Sequence, residues 1–179
     1  MKLLARFIFW LTGWRTEGQV PPLNKFVVIV APHTSAWDVF YGLLARYLFE
    51  VDFVFYGKRE IFDSPVGFIF RAMGGIPVDR SVHTNMVDQA VERFNQNDKM
   101  ILALAPEGTR EYVEKWKSGF YYIALKANVP ILLTYLDFEK KVAGIGPLFY
   151  PTGNLDKDMK EIKAFYRPIK GYYPEKGVR

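Results

Sequence analysis

From residue 26 onward, short continuous apolar runs alternate with stretches whose apolar residues recur at helical spacing. Residues 26–30 (FVVIV) are an unbroken, mostly β-branched run, which marks a strand buried on both faces. Residues 100–104 and 129–136 repeat that pattern, and 52–56 and 76–78 read as shorter strands. Between them the spacing predicts helices over about 35–48, 84–95 and 119–127, the second from Val87, Ala90, Val91 and Phe94. A last amphipathic helix carries Leu155, Met159, Ile162 and Tyr166 on its apolar side, with Asp156 and Lys160 as an i,i+4 pair outside. Residues 57–75 are punctuated by Pro65, Gly67, Gly74 and Gly75, and residues 140–153 read as a hairpin or loop. The alternation predicts a single α/β domain, with a central, mostly parallel sheet flanked by helices. The pattern leaves the strand order open.

The first fifteen residues, MKLLARFIFWLTGWR, follow a different logic. Leu3, Leu4, Phe7, Ile8 and Leu11 share one helical face, and Lys2 and Arg6 lie on the other. Phe9, Trp10 and Trp14 widen the apolar surface, and no small-residue cleavage site follows in GWRTEGQVPP. This composition suits a helix lying in the headgroup plane of a membrane. The competing reading is an ordinary first helix packed on the core. We therefore divide the chain into an amphipathic, membrane-interfacial helix, 1–20, and a domain, 21–179, with Pro21 and Pro22 at the boundary.

Composition narrows the chemistry. A chain of 179 residues fits one domain, and the absence of cysteine excludes disulfides, a thiolate nucleophile and thiolate metal sites. With His33 and His83 as the two histidines, a zinc site built on several imidazoles is excluded as well, and no metal is expected. A net charge of +5 points to anionic partners. The basic residues are spread along the chain and no RNA-recognition signature is present, so nucleic acid is not expected. No apolar stretch reaches the length that spans a bilayer.

The buried run 26–30 leads straight into Ala31-Pro32-His33-Thr34-Ser35-Ala36-Trp37-Asp38. A histidine thus sits at a strand's carboxyl end, where α/β folds place their ligands. His33 and Asp38 are about 140° apart on an ideal helix, so they meet only if His33 precedes the helix and Asp38 lies in its first turn. Ser35 and Asp38 also have capping-box spacing. The two roles are compatible, because a helix N-terminus keeps a first-turn carboxylate ionised. Beside His33 that carboxylate would orient the ring and stabilise its cation. Pro106-Glu107-Gly108-Thr109-Arg110 follows another buried strand, and Lys117-Ser118-Gly119 comes soon after. Arg80, Arg110, Lys58 and Lys117 converge on one sheet edge if their strands are neighbours, and guanidinium forks suit phosphate oxygens.

In these blocks the sequence resembles the PlsC-type glycerophospholipid acyltransferases. His33 and Asp38 supply that family's His-x4-Asp motif, and Lys58-Arg59-Glu60 through Val78-Asp79-Arg80 look like its second block. Pro106 to Arg110 is similar to its Pro-Glu-Gly-Thr-Arg block, and Val129-Pro130-Ile131 to its fourth. The resemblance covers about residues 26 to 136. Two positions depart from it: Pro32 stands where Asn is common, and Ala105 where Phe is usual.

The resemblance implies a glycerol-3-phosphate acyltransferase-like fold. It also implies transfer of a fatty acyl group from a thioester, acyl-CoA or acyl carrier protein, to a lysophospholipid-type hydroxyl, 1-acyl-glycerol-3-phosphate first. His33 and Asp38 would be catalytic. Arg80, Glu107, Gly108, Thr109 and Arg110, with Lys58 and Lys117, would hold the acceptor and its phosphate, Glu107 by fixing an Arg or binding a glycerol hydroxyl. No cofactor beyond the donor substrate is expected. The residues fit this chemistry independently, since without Cys or a Gly-x-Ser-x-Gly elbow direct attack needs only a base. The expected location is peripheral, on the cytoplasmic face of a membrane such as the bacterial inner membrane. An amino-acid-containing lyso-lipid acceptor, a lipid hydrolase and a non-catalytic lipid-binding module on the same fold are the alternatives.

Overall fold

The computed structural model describes residues 1–78 and 86–179, and the backbone alone at Lys58, Ile61 and Val78. The described strands are β1 (Arg15–Glu17), β2 (Lys25–Val30), β3 (Val54–Lys58), β4 (Gly75–Val78), β5 (Met100–Leu104), β6 (Ile131–Asp137) and β7 (Val142–Phe149). They form one sheet in the order β1-β7-β6-β2-β5-β3-β4. The five strands from β6 to β4 run parallel, β7 is antiparallel to β6, and β1 pairs parallel to β7. The expected α/β domain with a mostly parallel sheet is therefore present.

Seven α-helices are described, α1 (Lys2–Thr12), α2 (Trp37–Phe49), α3 (Arg59–Phe62), α4 (Gly67–Ala72), α5 (Met86–Gln96), α6 (Gly119–Ala127) and α7 (Leu155–Tyr166), with a 3-10 turn at Pro174–Lys176. Successive side chains of a strand point to opposite faces. Val27 and Ile29 of β2 accordingly pack with Ala90 and Phe94 of α5, Phe120 and Ala124 of α6, and Ile162 and Tyr166 of α7. Phe26 and Val28 face the other way, with Ile101, Ala103 and Leu132. On that second side Leu136 and Ala143 meet α1 and α2 through Ala5, Phe9, Leu44 and Ala45. Burial of apolar side chains on both faces is what the unbroken run 26–30 announced.

Three segments differ from the sequence expectation. The region 57–75, read only as punctuated by Pro and Gly, holds two short helices, α3 and α4. One or two turns of helix are too short to show periodicity, and Gly and Pro around them read as breakers. The segment 1–20 is not one helix: α1 stops at Thr12, Gly13 caps it with a left-handed φ of 75°, and Arg15–Glu17 adds an exposed edge strand. Lys160 and Asp156 make no ion pair among the described residues, and Lys160 faces a different neighbourhood.

The first helix has two apolar faces. Ala5 and Phe9 turn inward, and the buried Trp14 stacks on Tyr41 of α2 at 4.1 Å. Leu3, Phe7, Trp10 and Leu11 stay outside, with Leu3 78% and Trp10 74% exposed. Ile8, expected among them, is half-buried. The core-packed and surface readings of this helix each describe one of its sides. No helix among the described residues is long and apolar enough to cross a membrane.

Candidate active site

The parallel register brings the two motif loops together. Ile29 of β2 pairs with Leu104 of β5, so His33 and Glu107, four and three residues further on, leave the same edge side by side. Thr134 of β6 donates its hydroxyl to the Ile29 carbonyl, 3.0 Å, and the Tyr166 hydroxyl of α7 donates to the carbonyls of Ile29 and Thr134. These bonds pin the end of β2 directly ahead of the histidine.

Helix α2 begins at Trp37, which leaves His33 in the preceding loop and Asp38 in the first turn. His33 Nδ1 lies 3.0 Å from Asp38 Oδ2. The same oxygen accepts the backbone N–H groups of Thr34, 2.7 Å, and Ser35, 2.8 Å. One carboxylate thus closes the helix start and holds the ring. With Nδ1 beside the carboxylate, the tautomer that carries its proton there leaves the lone pair on Nε2 and makes Nε2 the basic atom. Asp38 is buried, while the His33 side chain keeps 19% of its surface exposed.

Glu107 is buried beside this pair, and its Oε1 accepts the backbone N–H of His33 at 3.0 Å. Through this bond it fixes the histidine loop. Among the described residues Oε2 has no hydrogen-bond partner. Burial pushes the Glu107 carboxyl above its ordinary 4.5, against the lowering effect of its own and the His33 N–H groups, and the nearby Asp38 adds to the rise. The folded chain therefore holds this proton more tightly than the unfolded chain does. Ionised Glu107 costs stability at neutral pH, and that cost fades as pH falls through the raised value toward about 4.5. We predict that Glu107→Gln stabilises the chain more at neutral pH than at about pH 4.5, as read by melting temperature against pH. A difference that does not change with pH would contradict it.

The rest of the Pro106–Arg110 loop is a tight turn. The Gly108 N–H donates to the Ala105 carbonyl, and Gly108 has a φ of 66°. A Cβ there would come within 2.7 Å of Lys117 Cε, so glycine lets the Lys117 side chain fold across the loop. The Thr109 hydroxyl accepts the Glu111 N–H at 3.3 Å. Arg110 and Lys117 are exposed, and neither has an ion-pair partner among the described residues. Lys58 ends β3, in register with Val78 at the end of β4, and both strands stop at the edge that carries His33. Arg80 lies outside the described residues, as does His83. No group of three His, Asp or Glu among the described residues is placed to hold a metal.

The sequence reading missed the chain's last segment. The Tyr173 N–H donates to Thr34 Oγ1 at 3.2 Å, and a Cβ at Gly171 would come within 2.7 Å of the same atom. Residues 171–173 thus cover the loop next to His33. The signal was a glycine before two aromatics, Gly171-Tyr172-Tyr173, which marks a close backbone approach.

The family model described as acyltransferase matches residues 15–135. The chain is 28% identical over 125 residues to the 1-acyl-sn-glycerol-3-phosphate acyltransferase of Streptococcus pneumoniae (strain ATCC BAA-255 / R6). That match covers 68% of this chain and 46% of the relative, so it spans about half of the relative's length. The crystal structure of the 1-acyl-sn-glycerophosphate acyltransferase PlsC from Thermotoga maritima superposes with a TM-score of 0.66 at 21% identity. It covers 92% of this chain and 74% of that one, and at such identity the likeness is one of fold.

Proposed function

Because this chain belongs to the acyltransferase family, we propose that it moves a fatty acyl group from a thioester to the hydroxyl of a lysophospholipid-type acceptor, 1-acyl-glycerol-3-phosphate first among them. The observation that carries this reading is His33 Nδ1 held 3.0 Å from the buried Asp38, with Nε2 left as the base at the sheet's carboxyl edge. In the reaction, Nε2 takes the acceptor hydroxyl's proton as the oxygen attacks the thioester carbonyl carbon. Asp38 stabilises the imidazolium that forms. The tetrahedral intermediate then breaks its C–S bond, and the departing sulfur takes the proton back from Nε2. The thioester is already activated, so positioning and oxyanion stabilisation suffice without a covalent acyl-enzyme.

Arg110 and Lys117, exposed on the loop beside Glu107, suit the acceptor phosphate, and Lys58 ends β3 at the same edge, while Arg80 is assigned to the phosphate by its place in the family's second block alone. Gly108 and Thr109 shape the turn that presents Arg110. The test is kinetic: a panel of lyso-acceptors, with and without a phosphomonoester, against wild type, Arg80→Lys and Arg110→Lys. A fork replaced by a point charge is expected to lower kcat/KM selectively for the phosphomonoester acceptor. Equal sensitivity to every acceptor would remove both arginines from the phosphate site, and preference for an amino-acid lyso-lipid would replace the acceptor.

The exposed face of α1 suits a membrane surface, which is where the acceptor resides. Phe7→Ser combined with Trp10→Ser is expected to lower partition into anionic vesicles by about 100-fold or more, since each large apolar side chain contributes about 1.5–3 kcal/mol. Both side chains are exposed, so the fold should persist. Equal co-sedimentation of variant and wild type would show that α1 is no anchor.

A further inference from the structure

Helix α7 turns a cationic stripe, Lys160, Lys163 and Arg167, toward a cavity of about 430 Å³. The opposite wall is Tyr112 and Trp116, from the segment that continues the Arg110 loop, and Arg179 stacks over the Tyr112 ring at 4.4 Å. Like charges three and four residues apart oppose each other on a helix. Among the described residues neither Lys160 nor Arg167 has an ion-pair partner, and Lys163 donates to the Glu114 carbonyl while lying 5.5 Å over Trp116. Burial, with Arg167 adding to it and Glu114 and Glu107 opposing it, holds the Lys163 ammonium below its ordinary pKa. Glu114 is the acidic residue of the lining, one carboxylate against the cations.

The size exceeds what an inorganic ion needs and falls in the range of small-ligand sites. Cations beside aromatic rings suit a phosphorylated nucleotide. Trp116 ties the cavity to the strand end that carries the histidine: its ring lies 5.6 Å from that of Tyr166, the residue that pins the end of β2. It also lies on the α5–α7 side of the sheet, away from the apolar face of α1. A lipid acceptor and a water-soluble donor would then approach from opposite layers.

We propose that this cavity binds the phosphorylated adenosine end of a coenzyme A thioester, the acyl donor; the inference rests on the reading under Proposed function. The probe is adenosine 3′,5′-bisphosphate, which has neither thiol nor acyl chain, titrated calorimetrically into the full chain. Saturable one-to-one binding that weakens with salt is expected. Lys160→Gln with Arg167→Gln, both at exposed positions, should weaken it about tenfold or more. The same variant should raise KM for acyl-CoA while leaving KM for the lyso-acceptor within about twofold. No binding, equal binding by the variant, or a KM effect confined to the acceptor or to an acyl carrier protein donor would overturn the proposal. Bisphosphate binding without acyl transfer would contradict the functional reading and leave the nucleotide site standing. Transfer from acyl-CoA without bisphosphate binding would do the reverse.

Discussion

His33→Ala is expected to lower kcat/KM by about 10²–10⁴, the usual contribution of a positioned general base. The fold should be retained, because the ring sits in a loop at the strand end, partly exposed, and its removal leaves little cavity. The backbone N–H that Glu107 Oε1 holds is unaffected by the side-chain change. Activity measured alongside a melting curve separates the two effects. Turnover near the wild-type level with an unchanged melting curve would remove Nε2 from the mechanism.

Asp38→Ala should be worse in a different way. The lost oxygen accepts the N–H groups of Thr34 and Ser35, both buried residues, and lies 3.0 Å from His33 Nδ1. Each buried donor left unpaired costs about 1–3 kcal/mol, so a loss of about 2–5 kcal/mol of stability is expected together with a rate loss of about 100-fold or more. Asp38→Asn can keep a carbonyl oxygen in that place without the charge. It should recover most of the stability and little of the rate. In a double-mutant cycle, Asp38→Asn on top of His33→Ala should cost almost nothing further in rate, because the two act as one unit. Additive losses would mean that Asp38 acts independently of the ring.

Much of this arrangement was legible because burial writes a strong pattern. β5 and α6 occupy the residues that apolar runs and helical spacing indicated, since both elements pack apolar side chains into the core. The His33–Asp38 meeting was also legible, because the helix had to start between them for the spacing to work. The family resemblance, read over about residues 26 to 136, is matched by the family model over 15–135.

What stayed hidden depends on partners distant in sequence or on the backbone. β1 is three exposed polar residues whose strand identity comes only from pairing with β7. The strand order is likewise fixed by long-range register, which local patterns do not encode. The bond from the His33 N–H to Glu107 was hidden as well, because a backbone donor leaves no mark in a sequence. The Gly171–Tyr173 cover over Thr34 arises from contacts across more than 130 positions.

The central claim is that acyl groups pass from a thioester to a lipid hydroxyl and not to water. The direct measurement follows thiol release and products by mass spectrometry, with an acyl thioester in the presence and absence of 1-acyl-glycerol-3-phosphate. The account predicts one acyl group on the acceptor for each thiol released, with release collapsing when the acceptor is omitted or His33 is replaced by Ala. Thiol release at the same rate without acceptor, with free fatty acid as the product, would contradict it and make the chain a hydrolase.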